Sequence, residues 1–434
     1  MTKKPLKVSL IGAGSAIFGP TSIMSILKSE PLGGSTVTLV DVDGDRLGLV
    51  TSAAERLNEF LEAGVNVESE TDRRKALPGT DYLLITAEEG RIDRWQADFQ
   101  ILKNFGIKHT LGENRGPAGL SHTLRTVPLV LDICRDAEEL SPEATAIIFT
   151  NPEDRIAYAV NQYTDLEAYG YCDGNWDFRD HFLGKLLGIP GEGIHLEGAG
   201  INHMVWITEL RDKSTGENIY PQMVERAEET GWQPLSHHLY RTYGLWPHEN
   251  DGHVGEYIGY APEFNDCSGY DFDDHLKRED EWIGRLKALV TGNYPVEDLA
   301  AKLSDYERFT FGDMSFTRMI EGEITEENVF LSGANLINNG KVGNLPDDMV
   351  VEVPATVTYG GIHGFSMGNL PEGIASICYR EGTIQKLSAE AAAEGSREKA
   401  LRALDLDDIV HSPKTANELL DAFITEHRSY LRTF

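Results

Sequence analysis

The sequence predicts an α/β fold: a doubly wound parallel sheet first, then a closely packed α+β part. Three observations carry this. Short apolar runs rich in β-branched residues alternate with segments of helical spacing through about residue 150. A glycine-rich turn directly follows the first run. After about residue 190 the alternation gives way to consecutive strand-like runs and amphipathic segments.

Residues 6–11 (LKVSLI) read as the first strand and run straight into Gly12-Ala13-Gly14. Residues 18–29 carry Ile23, Met24, Ile26 and Leu27 at helical spacing. A second strand is expected at 36–41 (TVTLVD), and a helix at 43–63 with Asp43 as its N-cap. DYLLIT (81–86) and TAIIF (145–149) read as the third and fourth strands. GIHLEGAGIN and HMVWITEL read as consecutive strands, followed by an irregular stretch at 236–262 dense in His, Tyr, Trp and acids. Helices are expected at 295–309, 387–403 and 414–432. No repeat or low-complexity linker separates the two parts, which are placed at 1–195 and 196–434.

Hydrophobic residues make up 41% and charged residues 25%, as in ordinary soluble enzymes. No apolar run is long enough for a transmembrane helix, and the basic start leads into a strand without a cleavage site, so no signal peptide is expected. A net charge of −31 disfavours nucleic acid and anionic membranes as partners. Cys134, Cys172, Cys267 and Cys378 form no CxxC pair, which fits reduced thiols in the cytoplasm.

The turn Gly12-Ala-Gly14-Ser15-Ala-Ile-Phe18-Gly19 has the spacing GxGxxxxG. Its first two glycines suit a tight turn and close approach of backbone to a pyrophosphate, and the following helix N-terminus attracts its charge. Asp41, ending the second strand, would bind a ribose hydroxyl and repel a 2′-phosphate, so NAD is expected over NADP. Ser15 and Phe18 belong to the same Rossmann-like site, the alternative being a purely structural turn. Asn151, in FTNP, follows the fourth strand where open α/β sheets bind ligands; its alternative is a helix N-cap.

Cys172, followed by Asp173, and Asn202-His203 interrupt apolar surroundings. A thiolate and an imidazole make a two-ligand metal site, open to water and vicinal hydroxyls, which favours a Mn²⁺-like ion over closed structural zinc. Further candidates are GENRGPAG (112–119), Arg91, Arg94 and Arg115, and the run holding Tyr243, Asp251, His253 and Glu256.

Together these motifs resemble the NAD- and manganese-dependent glycosidases of glycoside hydrolase family 4. The resemblance spans most of the chain: GAGS, VDVD, GENRGPAGLSHTLRTVPLVLDI, TNP, Cys172, GINH and GNLP (343–346). It implies a lactate/malate dehydrogenase-like fold, a small sugar or oligosaccharide substrate and a homodimer or homotetramer, to which a helical segment such as 122–140 would contribute. TYG..P...D.H..EY looks most like members acting on α-galactosides and α-galacturonides. Asp173, standing where those members have His, follows the 6-phospho-α-glucosidase pattern instead. The implied mechanism is oxidation at sugar C3 by NAD⁺, metal-assisted loss of the C2 proton, departure of the aglycone, water addition and return of the hydride. The implied roles are Cys172 and His203 as metal ligands, and Asp251, or else Tyr243, as the C2 base. Asp173 is the acid, and Asn151, Asn202, Arg91 and His253 contact the sugar. The competing readings are a 6-phospho-α-glucosidase, a 2-hydroxyacid dehydrogenase needing no metal, and a non-catalytic NAD sensor.

Overall fold

A computed structural model describes residues 5–172, 174, 178–310 and 315–434, with the side chains of 308–310 excluded. Asp173, the expected acid, lies outside the described residues.

Eleven strands form one sheet. They are β1 (Lys7–Ile11), β2 (Thr36–Val40), β3 (Asn66–Glu70), β4 (Tyr82–Ile85), β5 (Thr145–Ile148), β6 (Ala168–Gly170), β7 (Ile194–Ile201), β8 (Met204–Asp212), β9 (Val329–Ile337), β10 (Val350–Thr358) and β11 (Gly361–Gly364). Their order is β3-β2-β1-β4-β5-β6-β9-β10-β7-β8, with β11 on β10. β1 to β6 are parallel, with registers such as Val8↔Val37, Val8↔Tyr82 and Ile85↔Ile148. The remaining strands join antiparallel through Gly170↔Asn335. The sheet therefore crosses residue 195 unbroken.

The period-two alternation of each parallel strand sorts its side chains to two faces. Val8, Leu10, Leu39, Leu84 and Ile147 pack under α1 (Phe18–Lys28) and α2 (Gly44–Leu61). Ile11, Val40, Leu83, Ile85 and Ile148 pack under the helices Gly116–Leu140, Glu153–Tyr163 and Pro413–Glu426. Asp43 caps α2, accepting from the backbone N–H groups of Asp45 and Arg46 at 3.1 and 3.0 Å. No helix among the described residues is long and apolar enough to cross a membrane.

Four expectations need correction. The strand Tyr82–Ile85 is fourth in sequence because the polar edge strand β3 (NVESE) precedes it. The segment 387–403 is two helices, Glu372–Glu394 and Arg397–Leu406. Gly395, at φ 67°, ends the first, and Ser396 caps the second by accepting from Lys399 N–H. The last helix stops at Glu426, after which His427 turns inward to Asp98, Nε2 to Oδ1 2.6 Å. Finally, 122–140 spends its apolar stripe inside the chain: Leu124, Val127, Val130, Leu131, Ile133, Cys134 and Ala137 are all buried in one core. That stripe is not available to a second subunit.

Candidate active site

The strand order reverses between β1 and β4, which opens a crevice at their carboxyl ends. A cavity of about 230 Å³ occupies it. Its walls include Phe18 and Thr86 after β1 and β4, Asn151 after β5, Cys172 after β6, and His203 and His253 from the later half.

Steric limits set the glycine turn. Gly12, at φ +96°, donates to Val40 O at 2.9 Å, and a Cβ there would sit 2.8 Å from Ala87 N. A Cβ on Gly14 would lie 2.7 Å from the Asp41 carboxyl group, whose Oδ2 accepts the Gly14 N–H at 2.8 Å. Gly19 packs so tightly on Ala13 O that any Cβ would overlap it. Ser15 Oγ accepts from Phe18 N–H at 3.1 Å, and the N-cap of α1, Ile17, supplies no capping side chain. The positive end of the helix dipole suits an anion. Phe18 stands edge-on to Phe149 on the cavity wall, 5.5 Å between ring centres.

The thiol and the imidazole meet. Cys172 Sγ lies 3.1 Å from His203 Nε2. His203 sits at φ +60° between β7 and β8, and Asn114 Nδ2 lies 3.0 Å from its Nδ1. Burial, helped by His253, Arg115 and His248, holds the His203 pKa well below its ordinary value. The ring is thus neutral, as a metal ligand must be. Among the described residues, no group of three or more His, Cys, Asp or Glu side chains has metal-holding geometry. The described donors thus fit an ion held by one thiolate and one imidazole, with its other positions open.

Opposite them, Arg91 is bound by two glutamates: Nη2 donates to Glu113 Oε1 at 3.1 Å, and Nε lies 3.4 Å from Glu88 Oε2. Asn151 Nδ2 donates to the same Glu113 oxygen at 3.2 Å, so its amide faces the cavity wall and does not cap the next helix. Burial pushes the Glu88 pKa up, but His122 and Arg91 outweigh it and leave it lowered. His253 packs 4.6 Å from His203, centre to centre. Burial opposes its charge, yet Glu256, Glu249 and Glu113 push its pKa up to about 9.

Three expected residues stand elsewhere. Asp251 does not line the cavity. Its carboxylate accepts Leu235 N–H at 2.8 Å, Ser236 N–H at 3.0 Å and Ser236 Oγ–H at 2.6 Å, capping the helix Pro234–Tyr243. Tyr243, at the other end of that helix, packs edge-on to Trp206 at 6.2 Å and against Gly373, also off the cavity. Asn202 is buried behind His203 and donates to Glu153 Oε2 and Glu352 Oε2 at 3.3 and 3.2 Å; it braces the turn that presents the imidazole. Arg94 and Arg115 also miss the cavity: Arg94 pairs with Glu426, and Arg115 is fully buried on Asp154. Sequence reasoning missed Glu88, Glu153 and Glu249 as cavity residues, and singled out Glu113 and Asn114 only as members of GENRGPAG. The one signal for Glu249 was its place in the polar, aromatic run around Asp251.

The family 4 glycosyl hydrolase model matches residues 7–187, and the family 4 glycosyl hydrolase C-terminal domain matches 198–410. The chain is 30% identical to an alpha-galactosidase of Bacillus subtilis (strain 168), over 95% of this chain and 94% of the relative. It is 28% identical to an alpha-glucosidase of Erwinia rhapontici, over 98% of both. A crystal structure of a 6-phospho-alpha-glucosidase from gut microorganisms, in complex with NAD and Mn²⁺, superposes with a TM-score of 0.80 at 19% identity, covering 99% of each chain. With both family models matched and relatives aligned end to end, the chain belongs to the family 4 glycosyl hydrolases.

Proposed function

We propose that the protein hydrolyses uncharged α-glycosides, of the α-galactoside type, by transient NAD-dependent oxidation of the sugar with the help of a divalent ion. One observation carries this reading: the Cys172–His203 pair and Phe18 of the Gly12–Gly19 turn line a single cavity. The turn, with Ser15, Phe18 and Asp41, would hold the dinucleotide, and Cys172 and His203 the ion. When bound, NAD⁺ would accept a hydride from sugar C3 and later return it, while the ion would supply Lewis-acid stabilisation for the developing negative charge.

The chain's own residues prepare the rest. Neutral His203 offers the ion the lone pair of Nε2 when its ring proton sits on Nδ1, and the charged His253 beside it can donate to a sugar oxygen. Asn151 and Arg91, both fixed by Glu113, present donors to hydroxyl groups. Asp173 is assigned as the acid for the leaving oxygen because it follows Cys172 directly in the sequence. Asn202 acts one step back, through the turn it braces.

Charge selects the sugar. Among the described residues, Arg91 is the only Arg or Lys lining the cavity and Glu88 and Glu113 already share it, while the cationic His253 is faced by Glu256. Glu153 and Glu249 add further carboxylates to the same walls. A sugar phosphate or uronate would need a free cation there. This supports an unphosphorylated, neutral glycoside over a 6-phosphoglucoside or a galacturonide. A metal-ligating thiol favours a reducing, cytoplasmic setting, and a homo-oligomeric state belongs to the same reading.

The test is a panel of p-nitrophenyl sugars: α-galactoside, α-glucoside, α-galacturonide and 6-phospho-α-glucoside. Each is run with and without NAD⁺, Mn²⁺ and a thiol reductant. Release from a neutral α-glycoside that needs all three additions, with no net NADH, supports the reading. NADH accumulating from a hydroxy acid, with no glycoside cleaved, overturns it.

A further inference from the structure

We infer that Glu249 is the base that removes the C2 proton, an assignment that rests on the redox reading above. Three features converge on it. First, Glu249 lines the cavity and is 3% exposed. Second, it stands beside the Cys172 end of the cavity. A Cβ on Gly174 would lie 3.6 Å from Cys172 Sγ and would overlap Glu249 Oε1, so the carboxylate reaches this place only across a glycine. Third, Glu249 holds φ +91°, a conformation that residues with a side chain rarely adopt and that clusters at active sites. Neighbouring groups hold that conformation. Gln233 Nε2 donates to Glu249 O at 3.1 Å, and His248 N–H donates to Val205 O at 2.8 Å, pinning the preceding residue to β8.

The position matches the chemistry. The carbon that loses its proton is next to the oxygens an ion at Cys172 and His203 would bind, so the base must stand beside the ion without ligating it. In the step, once NAD⁺ has taken the C3 hydride, the Glu249 carboxylate takes the C2 proton. The C2–H electron pair moves toward the C3 carbonyl and, as that charge returns, the C1–O bond breaks with its pair leaving on the aglycone oxygen. The proton on Glu249 is given back when water adds.

The experiment compares wild type, Glu249→Gln and Glu249→Ala as full chains with NAD⁺ and Mn²⁺, on the neutral glycoside the wild type cleaves. The readouts are turnover, the rate difference between C2–H and C2–D substrate, single-turnover NADH formation, and the thermal shift given by Mn²⁺ and by NAD⁺ separately. For E249Q, turnover is expected to fall about 10²–10⁴-fold, the range for a lost general base. NADH formation and both thermal shifts should persist, and formate should restore part of the E249A activity. E249Q turnover within threefold of wild type overturns the assignment, as does an E249Q protein that has lost the Mn²⁺ shift, which would make Glu249 a ligand. A wild type that hydrolyses with no C2 isotope effect and no need for NAD⁺ overturns the redox reading itself, and the assignment with it.

Discussion

Asp251 offers the sharpest test of the site, because sequence and structure give it different work. Replacing it with alanine removes the acceptor for Leu235 N–H, Ser236 N–H and the Ser236 hydroxyl. A lost helix cap costs about 0.5–2 kcal/mol. Bonds to an ionised acceptor run about 1.5–3 kcal/mol. These groups are partly buried and share one carboxylate, so the expected loss for D251A is about 2–3 kcal/mol. Unfolding entropy grows with chain length, and for a chain of 434 residues 1 kcal/mol corresponds to about 1 °C in Tm. D251A should therefore melt about 2–3 °C lower. Asp251→Asn keeps one side-chain oxygen as acceptor and should lose about half as much. Both are read by thermal melting of the holoenzyme and by kcat and KM on the cleaved p-nitrophenyl glycoside. Turnover of D251N is expected within threefold of wild type. A D251N protein with wild-type Tm and a hundredfold lower kcat would refute the reasoning and return the base to Asp251.

Three further outcomes are expected. Burial pushes the Glu352 pKa from 4.5 up to about 8, so the folded protein holds a proton there that the unfolded chain releases. The sign follows from the raised folded pKa: this contribution is present below pH 4.5 and is lost as pH rises to about 8, at about 1.4 kcal/mol per unit. Glu352→Gln should thus equal wild type in denaturant stability near pH 5 and exceed it near pH 8. Cys172→Ser should lose the thermal shift that Mn²⁺ gives the wild type, a shift of about 2.7 kcal/mol at a hundredfold excess over Kd; an undiminished shift in melting curves contradicts the metal pair. Gly19→Ala drives a methyl into Ala13 O, a backbone overlap costing about 1–3 kcal/mol or more, and should weaken NAD⁺ binding in a fluorescence titration.

The parallel half was legible because β1, β2, β4 and β5 are apolar runs buried on both faces and punctuated by glycine, Asp41 and Asn151. β3 escaped because it is a polar edge strand, whose identity lies in its pairing with β2 and not in hydrophobicity. β6 is three residues long, too short for any period to show. β9 and β10 are apolar runs whose strand character comes from their partners, since such runs read equally as buried helix. In the site, Cys172 and His203 were legible because each polar residue interrupts an apolar stretch. The inward place of Glu249, against the candidates Asp251 and Tyr243, was not. Glu249 and Asp251 lie two positions apart, and which carboxylate faces inward depends on one positive-φ residue, Glu249, that no residue type announces.

The seam at Gly170↔Asn335 makes one sheet of both parts of the chain. The cavity inherits that indivisibility, with walls drawn from Phe18 through His253. A hybrid gene that joins the first part of one family member to the second part of another must therefore match across the seam, across the Cys172–His203 pair and across the Asn114–His203 contact at once. New specificities in this architecture are more readily reached by exchanging single wall residues, such as those around Arg91 or Glu249, than by shuffling whole modules.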